Sequence, residues 1–298
     1  MDLLHTRSDL ARLDKVRGGR PLVLVPTMGA LHEGHLSLVR LGAEAGPVVV
    51  SIFVNPTQFG PGEDFTAYPR DLENDLALLE PLDVAAVFAP AGDEVYGGAG
   101  EVTIAPGRRA QGLCGGERPG HFAGVLTVVA KLFGLVRPDI AVFGRKDAQQ
   151  CLVIGQMVED LHMPVRLVDG ITVREEDGLA MSSRNRYLDP EQRRRARCLS
   201  RSLHEARRLI EAGERRPSAL LTVMREQLTA ADAVEYAEIR TVPDLESCEQ
   251  LAGRVLLAVA ARVGPARLID NLVVEVAGET VTESFLLGAM ASTDGGRS

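Results

Sequence analysis

PLVLVPTMGALHEGHLSLV, residues 21 to 39, decides the fold. Pro21 to Val25 is apolar and rich in leucine and valine, the pattern of a strand buried on both faces. From Leu36 onward, Leu38, Val39 and Leu41 recur at spacings closer to a helix. Gly29 supplies the permissive backbone that a sharp strand-to-helix turn needs. His32 and His35 then fall at the start of that helix, three residues apart and so roughly 4.5 Å along its axis on one face.

A chain of 298 residues has room for two domains, and 45% hydrophobic with 25% charged residues is the composition of a soluble globular protein. Apolar runs such as Pro47 to Val54 are too short to span a membrane, and the first residues lack the basic-then-apolar pattern of a secretory signal. Cysteines at 114, 151, 198 and 248 are too dispersed for a paired-cysteine metal site and too few for a disulfide scaffold, so they are expected to pack. A cytoplasmic home follows as an expectation. The net charge of −8 argues against a general nucleic-acid binder.

Along the first 171 residues strands and helices alternate. Pro21–Val25, Val48–Val54, Asp83–Ala89, Asp139–Phe143 and Pro164–Val168 read as strands; Asp71–Leu79, Val125–Val136 and Ala148–Leu161 read as helices. This rhythm predicts an α/β, Rossmann-like parallel sheet with helices on both faces. Residues 172–285 change texture: a DG turn at Asp177–Gly178, an arginine-rich helix expected over Pro190–Glu211, another near Leu220, and short strands within VEYAEIR and RLIDNLVVEV. A smaller α+β C-terminal domain is expected there, followed by a flexible tail over 286–298.

PTMGALHEGH follows the first strand, NPTQF (Asn55 to Phe59) the second, and GRKDAQQ (Gly144 to Gln150) the Asp139–Phe143 strand, so all three fall on one rim, outside the carboxyl ends of the strands where open sheets bind ligands. A helix start with two imidazoles and Lys146 nearby favours phosphate. No GxxxxGK[ST] P-loop is present. MSSRN, Met181 to Asn185, adds two hydroxyls and a guanidinium on a loop able to close over a nucleoside triphosphate.

VPTMGALHEGH, SIFVNPTQF, ERPGHFAGV, DGLAMSSRNRYL and ARLIDN together resemble the pantothenate synthetase (pantoate–β-alanine ligase) family, within the nucleotidylyl transferases that carry HxGH and a KMSKS-like loop. The resemblance runs from about Leu3 to Val276. It implies an ATP- and Mg²⁺-dependent enzyme of the coenzyme A precursor pathway that joins pantoate to β-alanine through a pantoyl adenylate, releasing AMP and pyrophosphate, and it implies a homodimer. By the same resemblance Met28, Gly29, Ala30, Leu31, His32, Glu33, Gly34 and His35 bind ATP, with Gly144, Arg145, Lys146, Asp147, Val173, Met181, Ser182, Ser183 and Arg184. His35, His32 and Lys146 are the catalytic set. Gln58 and Gln150 hold pantoate, and Gln58 also neighbours β-alanine. Asp147 suits either a ribose hydroxyl or a Mg²⁺-bound water.

Two positions depart from the family pattern. Arg145 stands where an acidic residue is frequent, which predicts a more positive loop, and Ala123 stands where GHFRGV is common. His121 suits either a helix cap or a site role, and the arginines at 193–197, 201, 207 and 208 suit a solvated helix face. Other nucleotidylyl transferases share the histidine pair, but a tRNA-charging enzyme needs a further RNA-binding domain. An RNA-binding module would have no use for pantoate-sized amide contacts.

Overall fold

The computed structural model describes residues 1–98, 100–288 and 290. A six-stranded parallel sheet carries β1 (Asp2–Leu4), β2 (Val23–Thr27), β3 (Val48–Ile52), β4 (Val84–Phe88), β5 (Ile140–Gly144) and β6 (Arg166–Gly170) in the order β1-β4-β3-β2-β5-β6. Five strands lie within two or three residues of their expected ends. β1 escaped the sequence reading because three residues with half-exposed Leu3 carry no periodic signal.

Alternation along each strand sorts the core. Leu22 and Leu24 of β2 and its approach join Phe143 and the helices His121–Val136 and Ala148–Asp160 on one face. Val23 and Val25 join Val48, Val50 and Val142 under the helix Glu33–Ala43 on the other. From β2 the chain winds outward through β3 and β4, then returns to place β5 on the opposite side of β2. The topological switch point therefore lies between β2 and β5.

A second, antiparallel sheet orders β10-β9-β8-β7: β7 (Ala233–Thr241), β8 (Gly253–Val263), β9 (Ala266–Ala277) and β10 (Thr280–Glu283). Its strands are longer than expected. β8, GRVLLAVAARV, is a continuous apolar run in which periodicity cannot separate strand from helix. Helices Cys198–Glu211 and Pro217–Leu228 cover this sheet through Leu199, Leu203, Leu220 and Met224.

The helix expected over Pro190–Glu211 is two helices, Pro190–Ala196 and Cys198–Glu211, meeting at Arg197. Neither Gly nor Pro marks the break. Arg193 pairs with Glu175 and Asp177 of a neighbouring turn while Cys198 and Leu199 bury into the second core, and these tertiary contacts set different directions. On the face expected to be solvated, Arg194 pairs with Glu191, Arg195 with Asp232, Arg207 with Glu211 and Arg208 with Glu205. Cys114, Cys151 and Cys198 are buried and free, and Cys248 is half-buried.

The beginning of the supposed flexible tail is fixed. The N–H groups of Leu286, Leu287 and Gly288 donate to the buried Asp169 carboxylate at 2.8 to 3.2 Å, and Leu286 enters the core. Met290 packs beside β6. Ala289 and 291–298 lie outside the described residues.

Candidate active site

The turn after β2 is held by a residue remote in sequence. Gly29 (φ +76°) and Ala30 (φ +51°) both occupy the left-handed region. A Cβ on Gly29 would lie 2.8 Å from an Asp75 carboxylate oxygen. Asp75, 1% exposed, accepts from the N–H groups of Ala30 at 3.0 Å and Leu31 at 2.7 Å. Two charge-assisted bonds thus stabilise a non-glycine residue in a conformation costing roughly 1–2 kcal/mol.

That turn delivers His32 to the N-cap of Glu33–Ala43 and His35 to its first turn. The imidazole centroids are 4.1 Å apart. The His32 backbone N–H donates to His35 Nδ1 at 3.3 Å, so a neutral His35 carries its proton on Nε2. Burial, with His32 and Lys146 adjacent, lowers the His35 pKa to about 3. Burial and Lys146 lower that of His32 to about 4. Both rings are neutral at pH 7, and His35 offers an N–H donor without a resident charge.

After β3, Asn55 organises the next loop. It is 1% exposed; its Nδ2 donates to Gln58 Oε1 at 3.0 Å and to the Gly124 carbonyl at 3.2 Å, while its Oδ1 accepts from Tyr96 Oη. Gln58 Nε2 in turn reaches Met28 Sδ at 3.0 Å, joining the loops after β2 and β3. A Cβ on Gly124 would sit 2.3 Å from the Thr57 carbonyl oxygen, so helix and loop touch backbone to backbone. His121 does not cap its helix. Its Nδ1 meets the Gln58 carbonyl at 2.9 Å and its Nε2 meets Arg118 at 3.1 Å. Burial and the Arg118 charge lower its pKa to about 4.

Lys146 follows β5 and forms no ion pair among the described residues. Asn271 of β9 donates to the carbonyls of Arg145 (3.0 Å) and Lys146 (2.8 Å), and the preceding Asp270 pairs with Arg174 at 2.7 and 3.0 Å. Arg174 bridges to Ala180 in the turn leading to Met181. Ser182 Oγ accepts from the Arg184 N–H at 3.2 Å, and the Arg184 guanidinium pairs with Asp64 at 2.8 Å.

The expected positive contribution of Arg145 is absent. Its side chain is 4% exposed, donates to buried Asp169 at 2.7 Å and lies over the Phe285 ring, so its charge is compensated away from the cleft. Gly29, Ala30 and Leu31 are buried in the turn, and Glu33 is exposed and paired with Arg40; none of the four lines the cleft. Met28, His32, Gly34, His35, Gln58, Gly144, Lys146, Asp147, Gln150, Val173, Met181, Ser182, Ser183 and Arg184 do line one cavity of about 230 Å³. A second cavity, also about 230 Å³, adjoins it, with Arg118, His121, Lys146, Asp147, Gln150, Ser182 and Arg184 in both linings. Asp75 carries no signal in the sequence because it acts across 44 and 45 positions with no local motif, whereas Asn55 and Arg118 lie within NPTQF and ERPGHFAGV but reach Gly124 and Glu63 only through the tertiary fold.

The family profile described as Pantoate-beta-alanine ligase matches residues 2–273. The chain is 53% identical over 266 residues to the pantothenate synthetase of Heliobacterium modesticaldum, covering 88% of this chain and 95% of that one. The crystal structure of pantothenate synthetase from Thermus thermophilus superimposes with TM-score 0.86 at 44% identity, covering 91% of this chain and 99% of that one. Pantoate-beta-alanine ligase from Francisella tularensis, complexed with beta-gamma ATP and beta-alanine, gives 0.74 at 32% identity, covering 91% and 97%.

Proposed function

This chain belongs to the pantoate-beta-alanine ligase family, and from that premise we propose how its cleft performs the ATP-dependent condensation of pantoate with β-alanine. In the first step a pantoate carboxylate oxygen attacks the α-phosphorus of ATP and pyrophosphate leaves, giving pantoyl adenylate. In the second the amine of β-alanine, having lost a proton, attacks the acyl carbon, and AMP leaves as pantothenate forms.

The convergence of two neutral imidazoles and Lys146 at the β2/β5 switch point, facing the Gln58 and Gln150 amides, carries this reading. His35 Nε2–H and Lys146 stabilise charge growing on phosphate oxygens. The two amides donate to and accept from the hydroxy acid, and Phe53, Val125 and Val128 give its carbon skeleton an apolar wall. Gly144, Val173 and Met181 receive the nucleoside, and Ser182, Ser183 and Arg184 approach its phosphates from the opposite side.

Among the described residues no three metal-ligating side chains gather, and Asp147 is exposed in the lining of both cavities. Asp147 would bond a water on a Mg²⁺ carried in by ATP, or a ribose hydroxyl. When bound, the ion supplies charge neutralisation on the triphosphate. Incubation with ATP, pantoate and β-alanine tests the route: pantothenate with stoichiometric AMP is expected, and ADP in place of AMP overturns it.

A further inference from the structure

We propose that the second cavity is the access chamber of the amino-acid substrate, a small zwitterion that reaches the activated acyl group through the wall shared by the two cavities; this rests on the ligase reading above. Once pantoyl adenylate forms, the acid and the nucleotide fill the first cavity, whose lining holds the histidine pair, both glutamines and the apolar wall. The amine then needs a path that does not displace the intermediate. The second cavity adjoins the first at Lys146, Ser182 and Arg184, the residues assigned above to the phosphates.

Its lining has charges of both signs. Arg118, Arg262 and Arg267 supply guanidinium groups, and Glu63, Asp64 and Asp270 supply carboxylates. An isolated anion or cation would meet repulsion as well as attraction. A zwitterion answers both signs, and Leu256, Ala258 and Ile269 give its methylenes an apolar surface.

The partition between the chambers is itself built from ion pairs. Consecutive Glu63 and Asp64 hold Arg118 at 2.6 Å and Arg184 at 2.8 Å. All four side chains keep 15 to 28% of their surface exposed. An ammonium and a carboxylate joined by a short spacer can exchange into such pairs without leaving a charge unpaired, which is the costly event in a half-buried site.

Ile269→Trp narrows the chamber from a half-buried position in its apolar wall, away from the lining of the first cavity, and Arg262→Glu reverses a charge at its exposed rim. Each is assayed for the KM of β-alanine in the full reaction and for pantoate-dependent exchange of labelled pyrophosphate into ATP without amine. For Ile269→Trp, KM for β-alanine should rise about tenfold or more while exchange stays within about twofold. Arg262→Glu, at an exposed position whose guanidinium meets Glu235 at 3.2 Å, should raise the same KM in a salt-sensitive manner and serves alone if the tryptophan variant fails to fold. An unchanged KM for β-alanine in the folded variants, or equal loss of exchange and amide formation, overturns the chamber. If the unmodified protein makes neither exchange nor amide, the ligase reading falls, and the chamber with it.

Discussion

Asn271 Nδ2 lies 2.8 Å from the carbonyl oxygen of Lys146, tying the second sheet to the loop that carries this cation into the cleft. The same amide holds Arg145, and Asp270 beside it holds Arg174 at the start of the Met181–Arg184 approach. Asn271→Ala therefore releases Lys146, and exchange measured without amine isolates that effect because Asn271 lines the second cavity and not the first. A misplacement of about 1 Å can cost on the order of 10²-fold, so kcat for pyrophosphate exchange should fall by about 10–100-fold. A folded variant with unchanged kcat would show that Lys146 is positioned by other contacts.

Asp75 should govern the turn at Gly29–Ala30. Asp75→Ala removes two charge-assisted bonds from buried N–H groups and should lower unfolding free energy by about 1.5–3 kcal/mol. Urea denaturation measures this, and a loss under about 0.5 kcal/mol would mean the turn is held by its own sequence.

His35→Ala should preserve the fold and reduce adenylation by about 10²–10³ in kcat, the usual effect of losing one donor aimed at developing charge. Near-normal turnover would remove His35 from the mechanism.

Gln58→Ala and Gln150→Ala should weaken pantoate far more than ATP. Gln58 carries an additional consequence, because its amide also spans Asn55 and Met28. Calorimetric titrations of both ligands decide the assignment; equal losses for acid and nucleotide would place these amides outside the pantoate pocket.

Acid should destabilise the protein in two stages. His32, His35 and His121 have folded pKa values of about 4, 3 and 4, below the unfolded value near 6.5. Between those limits the unfolded chain binds more protons, so this stabilisation is complete above about pH 6.5 and diminishes as pH falls toward 4. Burial raises the pKa of Glu63, but its bonds from Arg118 outweigh that and bring it to about 2, so its contribution is lost only below the unfolded carboxyl value. Urea midpoints should decline from pH 6.5 to 4.5, less steeply in His121→Gln. A flat profile in both proteins would contradict the buried neutral imidazoles.

The sequence by itself determined the parallel-sheet class, five of its six parallel strands and the rim bearing PTMGALHEGH, NPTQF and GRKD, because two-faced burial and left-handed turns write themselves into neighbouring residues. It also carried the family, through motifs long enough to be distinctive. Tertiary structure alone decided the switch point between β2 and β5, the compensation of Arg145 by Asp169, and the fixing of Leu286–Gly288. It decided too that Asp75 holds a turn 44 residues away and that Asn271 holds a loop 125 residues away. Such pairings are absent from local periodicity because a carboxylate or amide finds its partner only when packing brings distant backbone within hydrogen-bond reach, and burial then makes the bond obligatory.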